Sequence, residues 1–307
     1  MRRAVRPVSP AIAVTILGVV ASLAGQQQRF QSGVELVHLP VTVLGKAGQM
    51  VRGLKATDFA VLEAGRPQEV TVFAEGTSVR SLPLHLGLLL DTSESMEGDL
   101  SAAANAAVRF VTALDDAVDV TFVDFDTEVR LARFQPDSYP QLFSRVRQRK
   151  AGGSTALYDA VGLYLRRAMD RDGEHVLLLY TDGGDSSSSI SFGTLQKMLR
   201  GGNVVVYAIG YLENQARDSR IQQQLRVTQI ARDTGGEAFF PTSEDEVKTI
   251  YAKILDELQS RYTLGYVSTN TRKDGAWRKV EVHVSRPDLK GVKVRTRPGY
   301  FASGTAR

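Results

Sequence analysis

Three short segments of the sequence place carboxylates and hydroxyls at spacings that could bind a metal ion. They are residues 91–95 (Asp-Thr-Ser-Glu-Ser), residues 152–155 (Gly-Gly-Ser-Thr) and residues 181–185 (Thr-Asp-Gly-Gly-Asp). None of them contains histidine or cysteine, and a set of oxygen donors alone suits Mg²⁺, Ca²⁺ or Mn²⁺ rather than zinc or copper. The candidate metal ligands are Asp91, Ser93, Ser95, Thr155 and Asp182.

The balance of charge in this set indicates what it would bind. A few carboxylates with several neutral hydroxyls leave a divalent cation under-neutralised. The cation then keeps its affinity for an anionic ligand, such as an Asp or Glu side chain of another protein. This composition favours adhesion over hydrolysis.

The pattern of strands and helices explains how distant segments could meet. From residue 82 to residue 260, apolar strand candidates alternate with stretches of helical spacing. This alternation predicts a doubly wound, mostly parallel sheet flanked by helices. Since loops at the carboxyl ends of parallel strands share one edge of the sheet, we expect the three segments to converge there. The strand candidates are Leu86–Leu90, Val118–Phe125, Val176–Tyr180, Val204–Ile209 and Ala238–Phe240.

Two β-patterned regions bracket this α/β region. We predict that residues 30–80 and residues 261–302 form the two halves of one small β-rich domain, into which the α/β domain of residues 82–260 is inserted. In the first half, Phe59–Glu63 and Glu69–Phe73 flank a turn and predict a hairpin. Because isolated hairpins are only marginally stable in water, the halves need each other or the α/β domain as a packing partner.

The three segments, in this order and in these elements, resemble the complete metal-ion-dependent adhesion site of the von Willebrand factor A family. The resemblance covers residues 82–260. It implies that Ser93, Ser95 and Thr155 bind the metal through their hydroxyls, and that Asp91 and Asp182 act chiefly through water.

The same resemblance implies an antiparallel strand at one edge of the sheet, for which Val129–Phe134 is the candidate. Glu94 is a departure, because many members of the family carry glycine at that position. The flanking β regions, which end in Arg297-Pro298-Gly299-Tyr300, resemble bacterial exported proteins related to the same family.

Other acidic residues near the three segments also have structural explanations. We expect Asp124 and Asp126 to lie at the surface just past a strand, and Asp185 to lie in a solvated loop or to cap a helix. For each of them, a supporting role at the metal site is the alternative, and Glu94 is a candidate for its rim. Taken alone, Asp-x-Ser-x-Ser is an ordinary turn or helix-cap pattern. Residues 152–155 could instead cradle a phosphate at a helix N-terminus, although the familiar glycine-rich nucleotide signatures are absent.

The first residues have the layout of a secretory signal peptide. Three arginines precede an apolar stretch at residues 11–23, and small residues lead to an expected cleavage site after Ala24. An uncleaved membrane anchor is the alternative, and it would be the one link to a membrane. We therefore expect an exported protein, either periplasmic or extracellular.

Composition excludes several other classes of function. Loss of residues 1–24 would lower the net charge from +4 to +1, which leaves no argument for nucleic-acid binding. The chain has no cysteine, so disulfides, thiolate catalysis and cysteine-bound zinc are excluded.

Together these features predict an exported, non-enzymatic module that captures an acidic group of a partner protein through a divalent cation, with Mg²⁺ as the first candidate. One alternative is a metal-dependent phosphoester hydrolase with Asp91 as nucleophile or base. Against it, the Asp-x-Asp pattern is missing and no Lys or Arg lies in the three segments. The other alternative is a scaffold whose metal only stabilises the loops.

Overall fold

The computed structural model describes residues 36–76, 83–114, 116–213 and 215–302, and the predicted leader at residues 1–24 lies outside these ranges. Within them the strands are β1 (Leu36–Leu44), β2 (Phe59–Glu63), β3 (Arg66–Gln68), β4 (Val70–Glu75), β5 (Leu84–Asp91), β6 (Ala117–Phe125), β7 (Val129–Phe134), β8 (Glu174–Thr181), β9 (Val204–Gly210), β10 (Glu237–Phe239), β11 (Tyr262–Val267), β12 (Trp277–Val284), β13 (Lys293–Arg295) and β14 (Gly299–Phe301). The helices are α1 (Leu100–Ala113), α2 (Tyr139–Arg147), α3 (Leu157–Met169), α4 (Phe192–Gly201), α5 (Arg217–Arg232) and α6 (Glu244–Ser260). None of the helices in these ranges combines the length and the apolar character needed to cross a membrane.

The central sheet has six strands in the order β10-β9-β8-β5-β6-β7. Five of them run parallel, and β7 runs antiparallel to β6 at one edge. The predicted fold class, a doubly wound and mostly parallel sheet, is confirmed. The predicted antiparallel edge strand, Val129–Phe134, is also observed.

Helices cover both faces of this sheet, which explains the continuous apolar run of β5. Leu88 lies in one core cluster with Phe110 of α1. Its neighbour Leu89 lies in the other cluster, with Leu165 of α3. Because alternate side chains enter different cores, every residue of β5 is buried and the strand shows no polar alternation.

The flanking strands form two four-stranded sheets, β13-β1-β11-β4 and β14-β12-β2-β3. Each sheet combines strands that precede the α/β region with strands that follow it. The two sheets share one core, to which Leu39 and Leu264 contribute from the first sheet, and Val61 and Val282 from the second. We call this pair of sheets the β-sandwich.

The predicted hairpin of Phe59–Glu63 with Glu69–Phe73 is wrong in its second arm. Strand β2 pairs instead with the short β3, whereas β4 pairs with β11 in the other sheet. An aromatic contact favours this pairing: in β4, the half-buried Phe73 packs against the buried Tyr262 of β11, with ring centroids 5.9 Å apart. The chain therefore crosses between the sheets after Gln68.

A buried carboxylate joins the two sheets of the β-sandwich. Glu63 is 2% exposed, and it accepts hydrogen bonds from the hydroxyls of Tyr266 (2.9 Å) and Tyr300 (2.8 Å). Nη1 of Arg278 lies 3.3 Å from the same carboxylate. These partners come from three strands, so one side chain of β2 cross-links four of the eight strands of the β-sandwich.

The β-sandwich contacts the central sheet at the edge where the parallel strands begin. Arg261, immediately before β11, donates to Glu174 at the start of β8 at 2.7 Å. Arg295 of β13 donates to the Gly235 carbonyl, just before β10, at 3.1 Å. The opposite, carboxyl edge carries the loops that hold the candidate ligands.

A second buried carboxylate, Asp119, lies near this amino edge. It accepts hydrogen bonds from His85 (2.9 Å), Arg133 (2.5 Å) and Arg171 (2.9 Å). Burial raises the pKa of Asp119, but these hydrogen bonds outweigh burial and hold that pKa below its ordinary value.

Candidate metal centre

Three loops at the carboxyl edge of the central sheet are hydrogen-bonded into one assembly. We call residues 91–95 loop 1, residues 152–155 loop 2 and residues 181–185 loop 3. The Glu94 N–H donates to the Gly153 carbonyl at 3.1 Å and joins loops 1 and 2. The Ser186 N–H, directly after loop 3, donates to the Thr155 carbonyl at 2.9 Å. The structure therefore brings the three predicted segments together.

Asp91 is the buried centre of this assembly. It is fully buried at the end of β5. Its Oδ1 accepts from the N–H of Ser93 at 3.0 Å and from the Ser93 hydroxyl at 2.6 Å. Its Oδ2 accepts from the Thr181 hydroxyl at 2.7 Å, which ties loop 1 to loop 3. With both oxygens engaged, Asp91 orients the hydroxyls around it.

The two serines of loop 1 are spaced like neighbouring ligands of one small cation. The Ser93 and Ser95 hydroxyl oxygens lie 3.2 Å apart. Two adjacent ligands of an octahedral Mg²⁺, each about 2.1 Å from the ion, would be about 3 Å apart. Ser95 is exposed while Ser93 is buried, so the pair reaches from the core to the surface.

Asp182 supplies the second carboxylate. It is 2% exposed, and its Oδ1 accepts from the Gly184 N–H at 2.8 Å. Its Oδ2 accepts from the side-chain amide of Gln215 at 2.9 Å. The loop that precedes α5 therefore adds a fourth segment to the site, which the sequence analysis did not identify.

Burial of these carboxylates creates an electrostatic cost. Burial raises the pKa of Asp91 to about 7, although hydrogen bonds from Ser93 and Thr181 lower it, and the nearby charge of Asp182 raises it further. Two carboxylates in a water-poor site disfavour each other's charge. A bound dication would offset this cost, so the set of donors fits a hard divalent cation.

Two glycines allow loops 2 and 3 to pack closely against neighbouring elements. Gly153 and Gly183 have φ angles of +77° and +80°, a region that other residues rarely adopt. A Cβ on Gly183 would lie 2.7 Å from Cγ2 of Val227 in α5, and a Cβ on Gly153 would lie 2.7 Å from Oγ1 of Thr127. Loops 2 and 3 thus require glycine at these positions.

The expected surface position of Asp124 is wrong. Asp124 is fully buried within β6, where the register of the antiparallel pair places Arg130 of β7 directly opposite. It accepts from Arg130 (2.5 Å), Arg145 (3.2 Å) and Arg149 (3.1 Å). Its burial follows from the added edge strand and from these charged partners.

The remaining candidates lie around the loops. Glu94 is exposed in loop 1, and Asp126 is half-buried with its Oδ2 2.6 Å from Arg130. Asp185 is half-buried and accepts from the N–H of Tyr158 at 3.1 Å in the first turn of α3, so it caps that helix.

The sequence predicted no role for Thr181, although it lies in the third segment, and it did not identify Arg130 or Gln215. Thr181 immediately precedes Asp182, and its position at a strand end was the available signal. Arg130 donates to the hydroxyl of Thr92 in loop 1 at 3.4 Å. It lies there because β7 pairs with β6, and the local sequence around Arg130 does not predict the register of that pair. No sequence pattern around Gln215 predicts its contact with Asp182.

The described residues contain no cluster of three or more His, Cys, Asp or Glu arranged to hold a metal. The candidate centre differs from such clusters because most of its donors are hydroxyls.

The comparison with protein families matches residues 85–253, more than half of the chain, to the von Willebrand factor type A domain. The chain belongs to this family. The matched range of this type A domain includes all three loops and the central sheet.

Several solved structures are similar to the chain at low sequence identity. The conserved hypothetical protein BatB from Bacteroides thetaiotaomicron is 19% identical with a TM-score of 0.45, and the match covers 58% of this chain and 100% of that one. A von Willebrand factor type A protein from Catenulispora acidiphila is 12% identical with a TM-score of 0.47, covering 89% and 76%. The vWF domain of the type V pili tip protein Mfa5 from Porphyromonas gingivalis is 11% identical with a TM-score of 0.47, covering 59% and 98%. A search among curated proteins finds no match.

Proposed function

We propose that this type A domain is a metal-ion-dependent protein-binding module, which captures an acidic group of a partner protein through a divalent cation. Mg²⁺ is the first candidate, with Mn²⁺ and Ca²⁺ as alternatives. The observation that supports the proposal is the hydrogen-bonded convergence of loops 1, 2 and 3, which contain the two buried carboxylates and the three hydroxyl-bearing residues of the candidate set.

In this proposal the hydroxyls of Ser93, Ser95 and Thr155 bind the cation directly. Asp91 and Asp182 act through water and hold the hydroxyls in place. The bound cation supplies a positive charge at the surface. Because the direct ligands are neutral, that charge remains available to a carboxylate of the partner.

The contacts of Asp91 support binding rather than catalysis. A nucleophile or base needs a free oxygen directed at the substrate. Both oxygens of Asp91 instead accept hydrogen bonds from within the protein. The nearby Arg130 and Arg149 are bound to Asp124 and so are poorly placed to clamp a phosphoryl group.

We also propose that the protein acts outside the cytoplasm, in the periplasm or the extracellular medium. The support is the sequence of residues 1–24, with its basic start, apolar stretch and small residues.

Calorimetric titration with Mg²⁺, Mn²⁺ and Ca²⁺ tests the metal site. We expect saturable binding to the wild type, loss of binding in Thr155→Ala and rescue in Thr155→Ser. Ser154→Ala is the matched control, because it removes an exposed hydroxyl from the same loop.

A peptide with one aspartate among glycines and serines then tests capture of a carboxylate. We expect binding in Mg²⁺ and none in EDTA. Equal affinity in both solutions would contradict the proposal. A metal-dependent melting temperature without peptide binding would instead indicate the scaffold function.

A further inference from the structure

A basic groove continues from the metal site along the surface of the type A domain. It lies between the start of α1 and the end of α2 and has an open volume of about 610 Å³. Ser101 and Asn105 line the α1 side, and Arg147, Arg149 and Lys150 line the other. We define the basic groove by these residues together with Glu97 at its end.

The chain connects this groove directly to the loops of the metal site. Glu97 lies two residues after Ser95, and Lys150 lies two residues before loop 2. The Gly152 N–H donates to the Thr92 carbonyl at 2.9 Å, so the two sides of the groove are joined where they meet the site. An extended peptide advances about 3.3 Å per residue. A few residues of a partner would therefore lead from the metal into the groove.

Most of the charged residues that line the groove are cations. Arg149 is held in place because its Nη1 lies 3.1 Å from Asp124 and its Nε donates to the Arg145 carbonyl at 3.3 Å. Arg147 and Lys150 are exposed, and neither forms an ion pair with any residue that the structure describes. Glu97 is the one carboxylate among the described lining residues.

We propose that this groove binds further carboxylates of the same partner segment, so that the ligand is a peptide with several acidic residues rather than a single Asp or Glu. The inference rests on the proposed function, since the metal fixes the first carboxylate. The exposed Arg147 and Lys150 then pair with the acidic side chains that follow the first carboxylate along the partner segment. Charge complementarity identifies the occupant as an acidic protein segment.

The test compares two fluorescein-labelled octapeptides by fluorescence anisotropy with the purified protein. One carries a single aspartate among glycines and serines, and the other carries the same aspartate followed by three glutamates. Titrations run in Mg²⁺ and in EDTA, at low and at high salt. The wild type is compared with Arg147→Gln/Lys150→Gln. The control is Arg166→Gln/Arg167→Gln, which removes two exposed cations from α3.

The wild type should bind the multi-acid peptide about tenfold more tightly than the single-acid peptide at low salt, since each exposed ion pair contributes a few-fold. High salt should reduce this preference. Arg147→Gln/Lys150→Gln should erase it without changing the affinity for the single-acid peptide, while the control variant keeps it.

Each other outcome has a definite meaning. The groove does not bind the additional carboxylates if Arg147→Gln/Lys150→Gln keeps the preference for the multi-acid peptide. The same conclusion follows if Arg166→Gln/Arg167→Gln loses that preference equally, or if the multi-acid peptide does not bind. Loss of the preference in the groove variant with binding unaffected by EDTA would support the groove and contradict the metal-dependent function. If Thr155→Ala abolishes binding of both peptides while Arg147→Gln/Lys150→Gln leaves the preference unchanged, the metal function stands and the groove is overturned.

Discussion

Replacement of Thr181 by valine should weaken both the fold and the proposed metal site. Thr181 is fully buried, and its hydroxyl donates to Oδ2 of Asp91 at 2.7 Å while accepting from the Gly183 N–H at 3.0 Å. Valine has nearly the same shape but leaves both partners buried without this hydrogen bond. A lost bond to a charged group costs about 1.5–3 kcal/mol, and an unsatisfied buried N–H costs about 1–3 kcal/mol. We therefore expect the free energy of unfolding to fall by about 3–5 kcal/mol.

The same substitution should also lower metal affinity. Asp91 orients Ser93, and Thr181 holds the other oxygen of that carboxylate. Loss of a group that supports metal ligands typically reduces affinity by about 10–100-fold. The assays are urea denaturation followed by circular dichroism and calorimetric titration with Mg²⁺.

Thr181→Ser is the matched control, because it keeps the hydroxyl and loses only a methyl group, at a cost of about 1 kcal/mol. If the valine and serine variants were equally stable and bound Mg²⁺ equally well, the hydroxyl would have no role in supporting Asp91. The orienting function assigned to that carboxylate would then be refuted.

Three further predictions concern the rest of the molecule, all measured by urea denaturation. The hydrogen bonds that lower the pKa of Asp119 stabilise the fold above its ordinary pKa of 3.8, and this stability disappears as the pH falls through the lowered pKa. The stability gap between wild type and Asp119→Asn should therefore shrink from pH 7 to pH 3, and a constant gap would contradict this. Gly183→Ala should lower the free energy of unfolding by about 2 kcal/mol more than Gly65→Ala does. Both glycines have positive φ, but only at Gly183 would a new Cβ meet other atoms of the protein. Equal losses would refute the steric argument. Glu63→Ala should lower the free energy of unfolding by about 3–5 kcal/mol, since it removes the buried carboxylate partner of Arg278 and leaves only the more exposed Asp274, 3.8 Å away. A loss below about 1 kcal/mol would show that the pair behaves like a surface contact.

The sequence predicted the central sheet well because each of its signals was local. Continuous apolar runs such as Leu86–Leu90 mark strands buried on both faces. The ends of those runs fixed the positions of Asp91 and Asp182 along the chain. Parallel connectivity then placed the loops at one edge without any knowledge of side-chain contacts.

The missed features depend on contacts between distant parts of the chain. The burial of Asp124 depends on strand register, which places Arg130 opposite it. In the pairing of β4 with β11, Phe73 packs against the ring of Tyr262, which lies nearly two hundred residues later in the sequence. Gln215 contacts Asp182 only because the loop before α5 folds over the sheet edge. Local patterns contain none of this information.

Loops 1, 2 and 3 and the β-sandwich lie at opposite edges of the central sheet, and this has a mechanical consequence. A load applied between a partner at the loops and the β-sandwich would run lengthwise along β5 and β8, each of which is hydrogen-bonded to a neighbour on both sides. The hydrogen bonds of a sheet lie across that direction, so the load would shear whole ladders at once instead of opening them one bond at a time. The fold would thus bear tension along its strongest axis.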